Sequence, residues 1–174
     1  GSFLLSPSMS LQEITTILIS ESGDYYLTKV TIPEGFSITE IANELDKKNI
    51  INKNKFIKYV KTYAKNDFKH QFKFLDLYNE TTLEGYLFPE TYFFKENEKI
   101  KIIVKTMLSQ FNKKIYIPYT KENTKSNLSF TELTTLASIV EKEARNSHEM
   151  PTISSVYHNR LKKNMRLESD PTVV

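Results

Sequence analysis

Two S-x-x-E signatures, Ser37 to Glu40 and Ser129 to Glu132, each lead directly into apolar residues at helical spacing, and they dictate where helices must begin. In such a box the serine oxygen accepts from the backbone N–H three residues on, while the glutamate reaches back to the serine N–H. Two donors that the first helical turn leaves orphaned are thereby satisfied. After Ser129, the residues Leu133, Leu136, Ala137, Val140 and Ala144 recur at intervals of three and four, which predicts a helix over 129–144. After Ser37, with Phe36 and Ile41 placed as a hydrophobic staple, Ile38, Ile41, Ala42 and Leu45 predict a shorter helix ending near Asn49.

Between and around these anchors the pattern is mixed. Thr28, Val30 and Ile32 alternate with Lys29 and Thr31 across 26–32, a strand that must stop at Pro33. The earlier run 13–20, rich in Thr, Ile and Leu, predicts another strand. Asn52 caps a helix with Phe56, Tyr59, Val60 and Tyr63 on one face, and 65–79, which mixes Lys, Asp and aromatics without a period, reads as connector. Ile100, Ile103, Val104, Met107, Leu108 and Phe111 form a core-facing helix with Asn97 as its cap, and 115–127, broken at Pro118, reads as a loop. A last helix opens at Pro151, places Ile153, Val156, Tyr157, Arg160 and Leu161 on one face, and ends at Asn164. The class is therefore α+β, with a mainly helical second half.

Composition bounds the function. An apolar share of 39% with 12% aromatics is enough for real cores, so the chain folds. The net charge of +3 is mild but uneven: nine lysines and one acid, Asp67, lie between Lys47 and Lys73. That run is a solvated helix face, or a patch for an anionic polymer; no recognition motif supports nucleic acid. Absence of cysteine excludes disulfides and thiolate metal sites. No apolar run approaches the ~20 residues of a spanning helix, and the opening Gly-Ser reads as a cloning scar.

The 129–144 helix ends Ala-Ser-Ile-Val-Glu-Lys-Glu-Ala over 137–144. At ~100° per residue, Glu141 falls roughly 80° to one side of Leu133 and Glu143 roughly 80° to the other, so both stand at the edge of the apolar stripe and diverge. A carboxyl group beside apolar side chains resists ionisation, as an acid for glycosidic cleavage must. The geometry does not choose between them, and it equally fits two surface carboxylates paired with Lys142 or Arg145. A metal site assembled from Glu141, Glu143, His148 and His158 lacks H-E-x-x-H or any other tight ligand spacing.

Three further blocks accompany this helix: Leu-Glu-Gly-Tyr-Leu-Phe-Pro-Glu-Thr-Tyr-Phe-Phe over 83–94, Val-Tyr-His-Asn-Arg-Leu over 156–161, and Met-Arg-Leu-Glu-Ser-Asp-Pro-Thr-Val over 165–173. In this order and at these separations the blocks resemble the endolytic murein transglycosylases of the MltG (YceG-like) family. Residues 1–24 then read as an N-terminal segment with the scar and the early strand, and the resemblance implies a small LysM-like β/α subdomain with connector over 25–80 and a lytic-transglycosylase-like catalytic domain from 81, incomplete at 174. It also implies an N-terminal membrane anchor outside this chain, and so a single-pass protein of the inner membrane with its catalytic part on the periplasmic side. Expected partners are peptidoglycan glycan strands and wall-synthesis enzymes, with no cofactor and no metal.

For the site, the resemblance makes Glu141 the catalytic acid and Glu143 a supporting group held by Arg160 or Arg166. Glu84 and Tyr86 then line the sugar cleft, although Tyr86 equally fits a buried aromatic cluster with Leu87, Phe88, Tyr92 and Phe93. Asn159, Arg160, Asp170 and Thr172 complete the substrate-binding set; an amide such as that of Asn159 can both donate to and accept from an N-acetyl group. His158 and Glu90 depart from the family pattern. The alternative reading is a noncatalytic peptidoglycan-binding scaffold.

Overall fold

The computed structural model describes residues 5–19, 27–77, 81–121 and 127–169. It is mostly helical with one small sheet. The order is α1 (Leu11–Ile19), β1 (Leu27–Thr31), α2 (Ile38–Lys47), α3 (Lys53–Thr62), α4 (Ala64–Phe68), a 3-10 turn (Lys73–Leu77), β2 (Thr91–Lys95), α5 (Ile100–Phe111), a π-helical turn (Asn112–Tyr116), α6 (Ile117–Lys121), α7 (Phe130–Glu143) and α8 (Met150–Lys162). Two compact units result, Gly1–Glu122 and Asn123–Val174.

In the first unit β1 and β2 pair antiparallel, with Leu27 opposite Lys95 and Thr31 opposite Thr91. The Ile32 N–H donates to the Glu90 carbonyl and extends the ladder. The expected division at 80/81 therefore falls inside this unit, because separating the strands would strand their N–H and C=O groups. Helix α2 begins at the expected capping box, with both halves formed, and buries Ile38, Ile41, Ala42 and Leu45. It ends where Asn49, at φ 54°, takes the left-handed conformation: Asn49 N–H bonds to Asp46 O and Ile50 N–H to Leu45 O. That pair of bonds is a Schellman motif, and asparagine tolerates the required backbone.

Four expectations in this unit are corrected. The run read as a strand over 13–20 is helix α1 through Ile19; the Glu13 carboxylate accepts from Ser10 N–H at 2.7 Å and Ser10 Oγ–H at 2.8 Å, a third capping arrangement that outweighs the β-branched composition. The connector at 65–79 supplies core, since Phe68, Phe72, Phe74 and Leu75 are buried. Asn97 does not cap α5: it turns the chain at φ 52°, its N–H bonded to Asn49 O, and Lys99 occupies the N-cap position. Finally, 115–121 is helical rather than loop. Ile117 N–H bonds five residues back to Asn112 O, and Pro118 follows at the second position of α6, where a missing N–H does least harm.

The second unit packs α7 on α8. Leu136, Ile139, Val140 and Tyr157 are buried, with Leu128, Met150, Ile153, Leu161 and Leu167 against them. The period expected for α7 holds but its phase is turned: Phe130, Leu136, Ile139 and Val140 face the core, Leu133 is half-buried, and Ala137 is exposed. Period is a property of one helix, whereas phase depends on where the partner helix lies. Helix α8 ends in a second Schellman motif, with Asn164 at φ 52° and Met165 N–H bonded to Arg160 O.

Candidate active site

Because the stripe is turned, the two glutamates of α7 are no longer equivalent. Leu136, Ile139, Val140 and Glu143 are three and four apart, so Glu143 continues the core-facing row by one turn, whereas Glu141 lies about 140° around the helix from Leu136. Both side chains are half-buried. Glu143 Oε1 accepts from Ser169 Oγ–H at 2.6 Å, and Ser169 is 2% exposed. Glu141 makes no hydrogen bond or ion pair among the described residues.

Arg160 does not hold Glu143, contrary to expectation, and neither does Arg166. The Arg160 guanidinium donates through Nη1 to the Leu167 carbonyl at 2.6 Å and to the Glu168 carboxylate at 3.1 Å. Glu168 sits at φ 51°, an unfavourable backbone for a residue with a Cβ, and this anchoring on both sides of its peptide holds it there. Arg160 and the Glu143–Ser169 bond together fasten 165–169 against α7 and α8. A cleft of about 220 Å³ remains between them, lined by Glu143, Ile153, Val156, Tyr157, Arg160, Leu167 and Glu168. Glu141 is not among its lining residues.

Asn159 is exposed on α8. Asp170 and Thr172 lie outside the described residues. Ser169, whose hydroxyl engages Glu143, and Tyr157, which lines the cleft, escaped the sequence reading: Ser169 belongs to no periodic pattern, and Tyr157 reads only as one more apolar position on α8. Among the described residues no three His, Asp or Glu side chains converge as a metal-ligand set.

Glu84 and Tyr86 belong to the first unit. Glu84 Oε1 accepts from Ile38 N–H at 3.0 Å, which places a carboxylate at the positive end of α2 beside the capping box. Tyr86 is 2% exposed, stacked on Phe74 at 5.7 Å and edge-on to Phe111 at 5.1 Å. Its ring is core and not a sugar-stacking face, as the buried alternative expects, but the rings it meets are Phe74 and Phe111, and of the cluster expected around it Phe88 and Phe93 are only half-buried. Gly85 between them, at φ 80°, supplies the left-handed turn that sends the two side chains apart. Farther along, Tyr92 donates its hydroxyl to Phe88 O at 2.6 Å; burial, and then the neighbouring Glu90 carboxylate, hold its phenol above the ordinary range.

A YceG-like family model matches residues 1–174. The endolytic murein transglycosylase of Bacillus subtilis is 34% identical over 183 residues, taking in 100% of this chain and 50% of that protein. The enzyme of the same name from Streptococcus pneumoniae is 30% identical over 191 residues, covering 100% of this chain and 34% of its own length. The chain thus spans half or less of the curated relatives it matches. The 2.6 Å crystal structure of a yceG-like protein from Listeria monocytogenes aligns with TM-score 0.74 and 30% identity, over 97% of this chain and 58% of that one. Matched end to end in sequence and almost end to end in fold, the chain belongs to the YceG-like family.

Proposed function

We propose that this chain is the core of an endolytic murein transglycosylase, with Glu141 as the group that moves the proton. The Glu141 carboxylic acid protonates the oxygen linking N-acetylmuramic acid to N-acetylglucosamine. The resulting carboxylate then takes the proton from the sugar's own 6-hydroxyl, whose oxygen closes on the anomeric carbon and leaves a 1,6-anhydro end. One carboxyl group serves in turn as acid and base, so the second carboxylate of an ordinary glycosidase pair is not required. The observation that carries the reading is the match of the entire chain to relatives named endolytic murein transglycosylases.

Partnering supports the choice of residue: Glu141 has both oxygens unengaged among the described residues, whereas one oxygen of Glu143 is occupied by the Ser169 hydroxyl. Arg160 and the Glu143–Ser169 bond then shape the wall of the site rather than take part in proton transfer. A specific observation favours a second reading, in which Glu143 is the acid, because Glu143 and not Glu141 lines the cleft. In the wider picture residues 25–80 of the first unit form a LysM-like module, a reading supported by the two helices α2 and α3 that follow β1. The enzyme works outside the cytoplasmic membrane, where murein lies, held by an anchor beyond this chain and acting beside the wall-synthesis enzymes.

The test is incubation with murein and mass spectrometry of the products. The wild type makes anhydromuramic ends, and Glu141→Gln lowers their rate by at least about 100-fold. Loss in Glu143→Gln with retention in Glu141→Gln transfers the role to Glu143. Full retention in both variants sinks the mechanism.

A further inference from the structure

The cleft of the second unit is selective by size, by charge and by its pattern of donors and acceptors. Its volume of about 220 Å³ lies below the ~300–1,000 Å³ of pockets that enclose whole small molecules, so it takes a substituent rather than a complete sugar ring. Ile153, Val156, Tyr157 and Leu167 give it apolar surface, and Glu143, Arg160 and Glu168 are its charged groups. Arg160 and Glu168 are paired at 3.1 Å and offset each other, which leaves the Glu143 carboxylate as the one uncompensated charge among the lining groups. A second carboxylate or a phosphate placed there is repelled, whereas a neutral group is not.

Hydrogen bonding narrows the class further. Glu143 uses Oε1 for the Ser169 hydroxyl at 2.6 Å and makes no other bond among the described residues. A carboxylate only accepts, so the group beside it must donate. Arg160 spends Nη1 on Leu167 O and the Glu168 carboxylate, and its Nε and Nη2 hydrogens form no bond among the described residues. A guanidinium only donates, so the same ligand must also accept. No buried side-chain polar atom lacks both a partner and solvent, so the empty cleft demands nothing; its groups decide which ligand fits. A neutral substituent with one N–H, one carbonyl oxygen and one methyl matches all three kinds of surface, and a sugar hydroxyl or hydroxymethyl has no methyl for the apolar part.

We propose that the cleft between α7, α8 and 165–169 seats the acetamido substituent of a pyranose, with its N–H on Glu143, its carbonyl on Arg160 and its methyl on the apolar residues. The assignment rests on the function proposed above, under which the sugar is one of the N-acetylated residues of murein. Asn159, to which the sequence reading gave the N-acetyl contact, does not line the cleft. Glu143 and Arg160 are then specificity-determining residues: they select the 2-substituent of the sugar while Glu141 moves the proton.

Two β-1,4-linked tetramers that differ only at that substituent test the assignment, one of N-acetylglucosamine and one of glucose, by calorimetry and by saturation-transfer NMR. The acetamido tetramer binds, its methyl protons receive the strongest saturation, and the glucose tetramer binds about tenfold more weakly or worse. Glu143→Gln keeps an acceptor for Ser169 but turns an amide N–H toward the ligand's own N–H. It weakens the acetamido tetramer about tenfold and leaves the glucose tetramer unchanged, a loss of selectivity that a merely structural role would not produce. Val156→Trp fills the cleft from a position 47% exposed and removes the preference without lowering the melting temperature. Equal affinity for the two tetramers, no binding of either, or a preference intact in both variants overturns the proposal. No turnover is involved: a preserved preference with no anhydro ends sinks the proposed function and spares the subsite, and cleavage of murein without the preference does the reverse.

Discussion

Phe74 is the residue whose removal should most damage the first unit. It is fully buried, and its ring meets those of Phe72 at 5.7 Å, Tyr86 at 5.7 Å, Phe111 at 4.9 Å and Tyr116 at 5.5 Å. Truncating a buried phenylalanine to alanine costs ~3–5 kcal/mol from lost transfer energy and the remaining cavity. Aromatic pairs add ~0.5–1.5 kcal/mol each beyond area, so a ring with four such neighbours belongs at the upper end. We therefore expect Phe74→Ala to lose about 5 kcal/mol, comparable with the whole stability of a marginal domain. Phe74→Leu fills most of the space but loses the ring geometry, and should cost about 2 kcal/mol. Urea unfolding followed by circular dichroism measures both, with an unchanged slope showing that the midpoint shift reports stability. An alanine variant within about 2 kcal/mol of wild type, or leucine as damaging as alanine, would refute the view of Phe74 as the hub.

Asp67 links α4 to its neighbours, accepting from Tyr59 Oη–H at 2.6 Å and Lys101 Nζ at 2.8 Å; the Lys101 bond first and the Tyr59 bond second lower its pKa. The folded form thus binds the proton less readily than the unfolded form, so the stabilisation is complete above about pH 4 and fades as pH falls through the lower folded value. Solvent screening limits it to about 0.2–1 kcal/mol, and Asp67→Asn should differ from wild type in urea midpoint at pH 7 but converge with it at about pH 2; a gap widening in acid contradicts the assignment. In the second unit, Ser169→Ala removes the donor to Glu143 and should cost about 1–2 kcal/mol, with faster amide exchange over 165–169. Unaltered exchange there would mean that the bond does not fasten the segment.

The helices with written ends were legible. Ser37, Asn52 and Ser129 cap as read, and Asn49 and Asn164 stop their helices because asparagine accepts the left-handed backbone that a Schellman motif needs. Helix α1 was equally marked by Ser10 and Glu13, yet the Thr-Ile-Leu run drew the reading toward a strand: composition was weighed above a cap. Phe68, Phe72 and Phe74 could not be recognised as core, since short helical turns offer no period long enough to detect. The candidate site was legible in residue type but not in arrangement. Glu141 and Glu143 stood out together, while their difference depends on the side from which α8 approaches and on Ser169, 26 residues downstream of Glu143. Tyr86 shows the opposite failure, an aromatic in a chemically suggestive block whose ring is spent on packing.

The β1–β2 ladder joins Thr31 to Thr91 across a separation of 60 residues. Helices α2, α3 and α4 are complete in the intervening stretch and can form from near neighbours, whereas the ribbon must wait for its second half to emerge from the ribosome. Assembly of the amino-terminal unit is consequently ordered in time, with the helical insert made before the ribbon that joins its two ends can close. Lengthening that insert would disturb little, because ring-closure entropy grows only logarithmically and a doubling adds about 0.6 kcal/mol.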